Sequence, residues 1–147
     1  METLVARGRA APAAAAQVLR RTRELRAATY AVVTGEGAAA DRETVAHAVR
    51  AAVAASRLVP GETSLAGWQP EPARAGLATP LHLLAVQVSD VLTARPATAV
   101  GRCPGHDCGW LFVNRGNRRW CDMATCGNRA KVRRHAARRS AAVRPHQ

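Results

Sequence analysis

Aromatic side chains are scarce in this 147-residue chain, which has one Phe, one Tyr and three Trp. Apolar residues make up 48%, but alanine supplies much of that share. Any core is therefore thin and aliphatic. The length admits one ordinary domain, or a helical domain with a small metal-stapled appendix, and excludes two large cores. Long apolar runs are also missing. No stretch approaches the roughly 20 consecutive apolar residues that a bilayer-spanning helix needs, and the N-terminus lacks a basic region followed by an apolar run and a small-residue cleavage site. These absences predict a cytoplasmic protein with no membrane partner. Acidic residues are few, at 10 against 22 Lys and Arg, for a net charge of +12.

The placement of the charge is uneven. From residue 101 onward, eleven basic side chains face only Asp107 and Asp122, a net +9, against +3 for the first hundred residues. A zinc ion held by four thiolates lowers the C-terminal figure only to +7. Such asymmetry points to a polyanionic partner, most often nucleic acid.

All four cysteines lie in the same region. Cys103 and Cys108 are separated by four residues, and so are Cys121 and Cys126. Zinc takes four soft ligands at tetrahedral corners, and two short loops can each supply two thiolates. The repeated gap predicts one structural zinc ion on Cys103, Cys108, Cys121 and Cys126. An iron–sulfur cluster, two disulfides in an exported domain, and His106 in place of one sulfur are the competing readings. Four sulfurs close the coordination shell, and a catalytic metal needs an open position with a base beside it. No enzyme is expected.

Read in order, residues 1 to 11 carry no strong pattern and are expected to fray. Pro12 suits a helix first turn, and Val18, Thr22, Leu25, Thr29 and Val32 recur at helical spacing, predicting a helix over 12–34 that Gly35 stops. A second helix should start near Asp41, as its cap, with Val45, Val49, Ala52, Val53 and Ser56 inward. His47 and His82 read as solvent-facing, capping or satisfied histidines. Residues 58 to 78 read as extended loop or short paired strands anchored to the core by Trp68. Thr79-Pro80 should cap a third helix with a stripe of Leu81, Leu84, Val88 and Leu92, ended by Pro96.

A composition shift near residue 98 marks a domain boundary. Pro104-Gly105 supplies a tight turn, and Trp110-Leu111-Phe112-Val113 is expected as a strand over the metal, with Arg118-Arg119-Trp120 returning as the second strand. Beyond Cys126 an arginine-rich helix follows, with Val132 and Ala136 as a narrow side docked on the hairpin. Arg115, Arg118, Arg119, Asn128, Arg129, Lys131, Arg133, Arg134, Arg138 and Arg139 are the candidate nucleic-acid contacts, chiefly to phosphates.

The segments Cys108-Gly-Trp-Leu-Phe and Arg118-Arg119-Trp120-Cys121-Asp-Met-Ala-Thr-Cys126-Gly-Asn-Arg-Ala-Lys resemble the CGNR zinc-finger family, over about 102 to 140. The resemblance implies zinc on the four cysteines and an upstream helical domain of the ABATE type. It also implies a bacterial, stress-induced transcriptional regulator that binds DNA. The chain departs from the family in a shorter stretch between Cys108 and Cys121 and in Asn114 where an acidic residue is usual. It also lacks the apolar opening segment before Pro12, as if that domain were truncated.

The resulting expectation is a mainly α protein: an ABATE-like helical domain over 1–98, a zinc-stapled β-hairpin and helix over 99–142, and a tail over 143–147. Its partner is nucleic acid, DNA more than RNA, with self-association or a small-molecule signal through the N-terminal domain. An RNA-binding accessory protein and a zinc-stapled protein-interaction module share the same residues.

Overall fold

The structure, a computed structural model, describes residues 2–61, 64–94, 99–114 and 116–142, with side chains omitted at 2, 3 and 140–142. The expectations attached to Pro96, Arg115 and the 143–147 tail lie outside the described residues. Contacts divide the chain into two compact units, Met1–Ala97 and Thr98–Gln147.

The first unit is helical. Helix α1 (Glu2–Ala10) leads into α2 (Pro12–Thr34) and α3 (Ala39–Ala54). Residues 2–10 are therefore ordered helix and do not fray: α1 lies against α2 and the 3-10 turn Gly76–Ala78, so packing supplies what periodicity did not. The break at Ala11, with φ −133 and ψ 66, follows from Pro12, whose ring disfavours helical geometry in the preceding residue. At its other end α2 stops as expected at Gly35, which adopts φ 78 and donates its N–H to the Val32 carbonyl. That left-handed geometry suits a residue without Cβ. Helix α3 begins two residues before Asp41. The Asp41 carboxylate instead reaches back from inside the first turn, accepting the Ala38 N–H at 2.8 Å.

A short antiparallel hairpin follows, β1 (Ser56–Pro60) with β2 (Ala66–Pro70). Its register places Leu58 opposite Trp68, and both side chains face solvent, 60% and 45% exposed. Trp68 is thus not the core anchor. It stabilises the hairpin through a cross-strand pair on the outward face, and Ser56 and Pro70 at the open end, away from the loop, are the buried positions.

The chain then runs through α4 (Pro72–Ala75) and the 3-10 turn into α5 (Thr79–Thr93). Thr79 is not a cap. Its buried hydroxyl donates to the Gly76 carbonyl at 2.7 Å. By length and composition the 22 residues Pro72–Thr93 are apolar enough to cross a bilayer. They do not form one rod, however, and they carry Arg74, His82 and Asp90. Leu81, Ala85 and Val86 enter the core with Leu25 and Ala28 of α2 and Val45 and Ala52 of α3. The inward stripe of α5 runs through Ala85, fully buried, while Leu84 is 50% exposed. Alanines at these crossings let helices approach closely, which is how a core without large side chains is filled.

The second unit holds the hairpin β3 (Val100–Arg102) with β4 (Leu111–Val113), a π-turn at Met123–Gly127, and α6 (Asn128–Ala142). The partner of β4 is the upstream segment, not Arg118–Trp120, which forms no strand.

Truncating Leu25 to Ala should cost about 2–4 kcal/mol in chemical denaturation, as for a buried leucine at a helix crossing. Trp68→Ala should cost about 1 kcal/mol or less. Equal losses would contradict the placement of Trp68 on the outer face.

Candidate metal centre

The first pair of cysteines sits at the closed end of the β3–β4 hairpin. Gly101 faces Phe112 and Arg102 faces Leu111. Beyond them the ladder continues as Cys103 donates its N–H to the Trp110 carbonyl at 2.8 Å. The loop between is folded by a Cys108 N–H to Gly105 carbonyl bond of 3.1 Å and by left-handed backbone at Asp107 and Gly109, φ 58 and 57. A Cβ on Gly105 would lie 3.1 Å from the Cys126 sulfur and 3.4 Å from the Cys103 sulfur. Glycine there lets the loop close over the sulfurs.

The second pair is set by the π-turn. Asp122 accepts the Thr125 N–H at 2.6 Å on its carboxylate, and its carbonyl accepts from both Cys126 and Gly127 at 3.1 Å. Bonds from the Thr125 hydroxyl, then its amide, hold the Asp122 carboxyl below the usual carboxylate range. The widened turn carries Cys126 back toward the other sulfurs, a use of π geometry common at functional positions.

All four Sγ atoms lie within 4.8 Å of one another, and the four cysteines are free thiols. Cys121 stands 3.6 Å from both Cys108 and Cys126. A tetrahedral ion with zinc–sulfur bonds of about 2.3 Å separates its sulfurs by about 3.8 Å, whereas a disulfide requires about 2.05 Å. The spacing fits one ion and not two cystines. His106 pairs with Asp107 at 2.5 Å and is exposed, and the ligand cluster is made of the cysteines.

The only phenylalanine closes the site. Phe112 is buried with Cys103 and Cys126. Gly101 opposite leaves room for the ring, since a Cβ there would fall 2.8 Å from its edge. Arg118 lies over the same ring, 4.9 Å from its centroid, and donates from Nε to the Trp120 carbonyl at 2.9 Å and from its terminal nitrogen to the Cys121 carbonyl. This candidate phosphate contact thus also braces the loop that presents Cys121. Arg119 stacks on Trp120 at 5.4 Å.

The remaining candidate contacts, Asn128, Arg129, Lys131, Arg133, Arg134, Arg138 and Arg139, all fall on α6 and are all exposed. Val132 and Ala136 do not dock. Val132 is 62% exposed, and every described side chain from Lys131 to Arg139 faces solvent. The contacts of α6 concentrate on the π-turn. Two short strands and a five-residue turn offer no surface wide enough to cover it.

Several contributors escaped sequence reading. Asp122 and Thr125 form a recognisable Asp-x-x-Thr cap. Gly101 becomes legible only once its cross-strand partner is known, and Arg118 looks like any other basic residue.

The fold and site define a four-cysteine zinc-binding module joined to a helical unit. Residues 100–139 match the CGNR zinc finger family. No curated protein and no solved structure matches the chain.

Sulfur binds zinc as thiolate, so protons and metal compete. Burial raises the Cys103 thiol, but amides of Cys121 and Gly105 and the neighbouring thiols outweigh it and bring it to about 7. Cys121 is pushed up to about 12 by burial and by adjacent sulfurs, and Cys126 is also raised. Loading therefore expels protons held by the cluster. The ionised sulfurs are the bound form, so the stability that zinc confers is present at high pH and lost as pH falls. Zinc affinity should drop steeply below neutral pH, read by competition with a chromophoric chelator. A strong chelator should unfold Thr98–Gln147 while the helical unit keeps its circular dichroism. Gly105→Val should weaken zinc retention without changing the helical signal.

Proposed function

We propose that this protein is a cytoplasmic, DNA-binding transcriptional regulator in which zinc is structural and α6 meets the phosphate backbone. One observation carries the reading: a basic helix whose side chains from Lys131 to Arg139 are all exposed begins two residues after the last metal ligand. Six cations, Arg129, Lys131, Arg133, Arg134, Arg138 and Arg139, are distributed around its circumference. Its 15 residues extend about 22 Å at 1.5 Å per residue, and a bare helix fits a major groove about 12 Å wide. Phosphate contacts would fix its register, and few side chains are positioned to read bases.

A helix that buries so few of its side chains is marginal alone in water, and like charges one turn apart weaken it further, as in Arg129 with Arg133 and Arg134 with Arg138. A polyanion removes that repulsion. Four sulfurs fill the coordination shell and leave no open position for substrate, which supports a binding role over a catalytic one. The helical unit, in the place of an ABATE domain, would sense a signal or mediate self-association.

Mobility shifts of duplex DNA and hairpin RNA across a salt series test this. If all six cations reach phosphates, affinity for duplex should fall about 1,000-fold between about 50 and 200 mM salt. Arg133→Ala with Arg134→Ala should lower the logarithmic slope by about two with zinc content unchanged. Tighter binding of the RNA would favour the RNA-binding reading. Absence of binding to either near about 0.1 M salt would leave the protein-interaction module. Helical ellipticity should rise when duplex is added.

A further inference from the structure

We infer that the exposed indole of Trp110 is a stacking platform for an unpaired base, so that the finger prefers DNA with a base out of the stack over continuous duplex. The inference deepens the DNA-binding reading above and rests on it, naming the feature of the DNA that the finger would hold.

The backbone fixes where this ring stands. Cys103 donates its N–H to the Trp110 carbonyl at 2.8 Å, Gly109 turns the chain just before it through left-handed backbone at φ 57, and β4 begins at the next residue. The metal ligand Cys108 lies two residues upstream. The main chain is thus braced on both sides, while the side chain is 67% exposed, the most of the three tryptophans. A bulky ring on a braced backbone loses little freedom when it binds.

The arginines of this unit treat its rings unequally. Arg118 lies over Phe112 and Arg119 over Trp120. Among the described residues no guanidinium lies over Trp110, although its indole is the most open of the three rings to approach. An aromatic face is left for something outside the chain.

Charge selects the kind of partner. The segment from residue 101 onward carries a net +9, and Arg102 stands on the facing strand, opposite the residue that follows Trp110. Asp107 of the same loop is paired with His106. Such a surface draws a polyanion, and the part of a nucleic acid that fits a flat apolar ring is the face of a base. Every base has one, so stacking on an aromatic side chain is tolerant of sequence. In continuous duplex those faces are covered by neighbouring pairs, and only base edges show in the grooves. A base displaced from the stack is what Trp110 can hold.

Three DNAs of one sequence test this: a short fully paired duplex, the same duplex with one extra unpaired thymine at its centre, and that duplex with an abasic sugar in place of the thymine. The last two carry the same phosphates and the same bulge and differ only in the base. Zinc-loaded full-length protein should bind the thymine bulge at least about fivefold tighter than the abasic bulge, the low end of what one stacked base contributes. Stacking releases no counterions, so this ratio should hold across a salt series while both affinities fall with the same slope. Tryptophan emission should be quenched by the thymine bulge, and the quenched part should be missing from Trp110→Phe. That variant keeps a ring and should retain part of the preference. Trp110→Leu, apolar but not aromatic, should bind both bulges equally with zinc content unchanged, because the bond to Cys103 runs through the main chain. Equal binding of the two bulges by the unaltered protein would overturn the inference, as would unquenched emission or an undiminished preference in zinc-loaded Trp110→Leu. Protein that binds the paired duplex but does not distinguish the bulges loses this inference alone. Protein that binds only the thymine bulge keeps it and loses the duplex reading. Protein that binds none of the three loses both.

Discussion

Four sulfur atoms within 4.8 Å cannot all be ionised unless a cation sits among them. Without metal, burial at the Cys103 thiol is outweighed by amides and neighbouring thiols that bring it down to about 7, while burial and adjacent sulfurs push Cys121 up to about 12. With zinc, the mutual repulsion becomes attraction to one centre. The C-terminal unit depends on that reversal because little else holds it together: three residues in each strand, one buried phenylalanine, and a turn. In so small a module, metal binding free energy is folding free energy.

The same ion sets the direction of α6. The helix grows out of the π-turn that contains Cys126, and Asp122 caps that turn by accepting the Thr125, Cys126 and Gly127 amides. Because α6 exposes every described side chain from Lys131 to Arg139, its attachment is made at the π-turn from which it grows. A helix that docked by burial would have to hide part of its surface. One fixed only at its first turn leaves the rest available to a partner.

How much of this was legible follows from the kind of signal each element carries. The cysteine spacing was read correctly because ligand chemistry demands those residues whatever the surroundings. Helix α2 was legible from Pro12 to Gly35 because both ends are marked by residues with restricted or unusual backbone geometry. The failures share a different cause. Trp68, Leu84 and Val132 were placed inward because large apolar side chains usually are, yet in this chain alanines occupy the crossings and the larger residues remain partly outside. Helix α1 has no strong internal pattern and exists through contacts with α2. The pairing of β4 with Val100–Arg102 depended on Gly101 accommodating Phe112, a relation between residues eleven apart that neither shows alone.

The two units solve scarcity of large side chains by opposite means. The helical unit brings backbones close over Ala28, Ala52 and Ala85, and the finger replaces a core with a metal. Close packing over alanines has a geometric consequence. Around Ala28, Ala52 and Ala85 the space is filled, but beside these crossings short side chains leave a cleft between α2, α3 and the start of α5. A core of leucine and phenylalanine would have closed it. In this fold the composition that makes the core thin also makes room beside it, in a cleft walled on α3 by Ala40, Ala48 and Ala51.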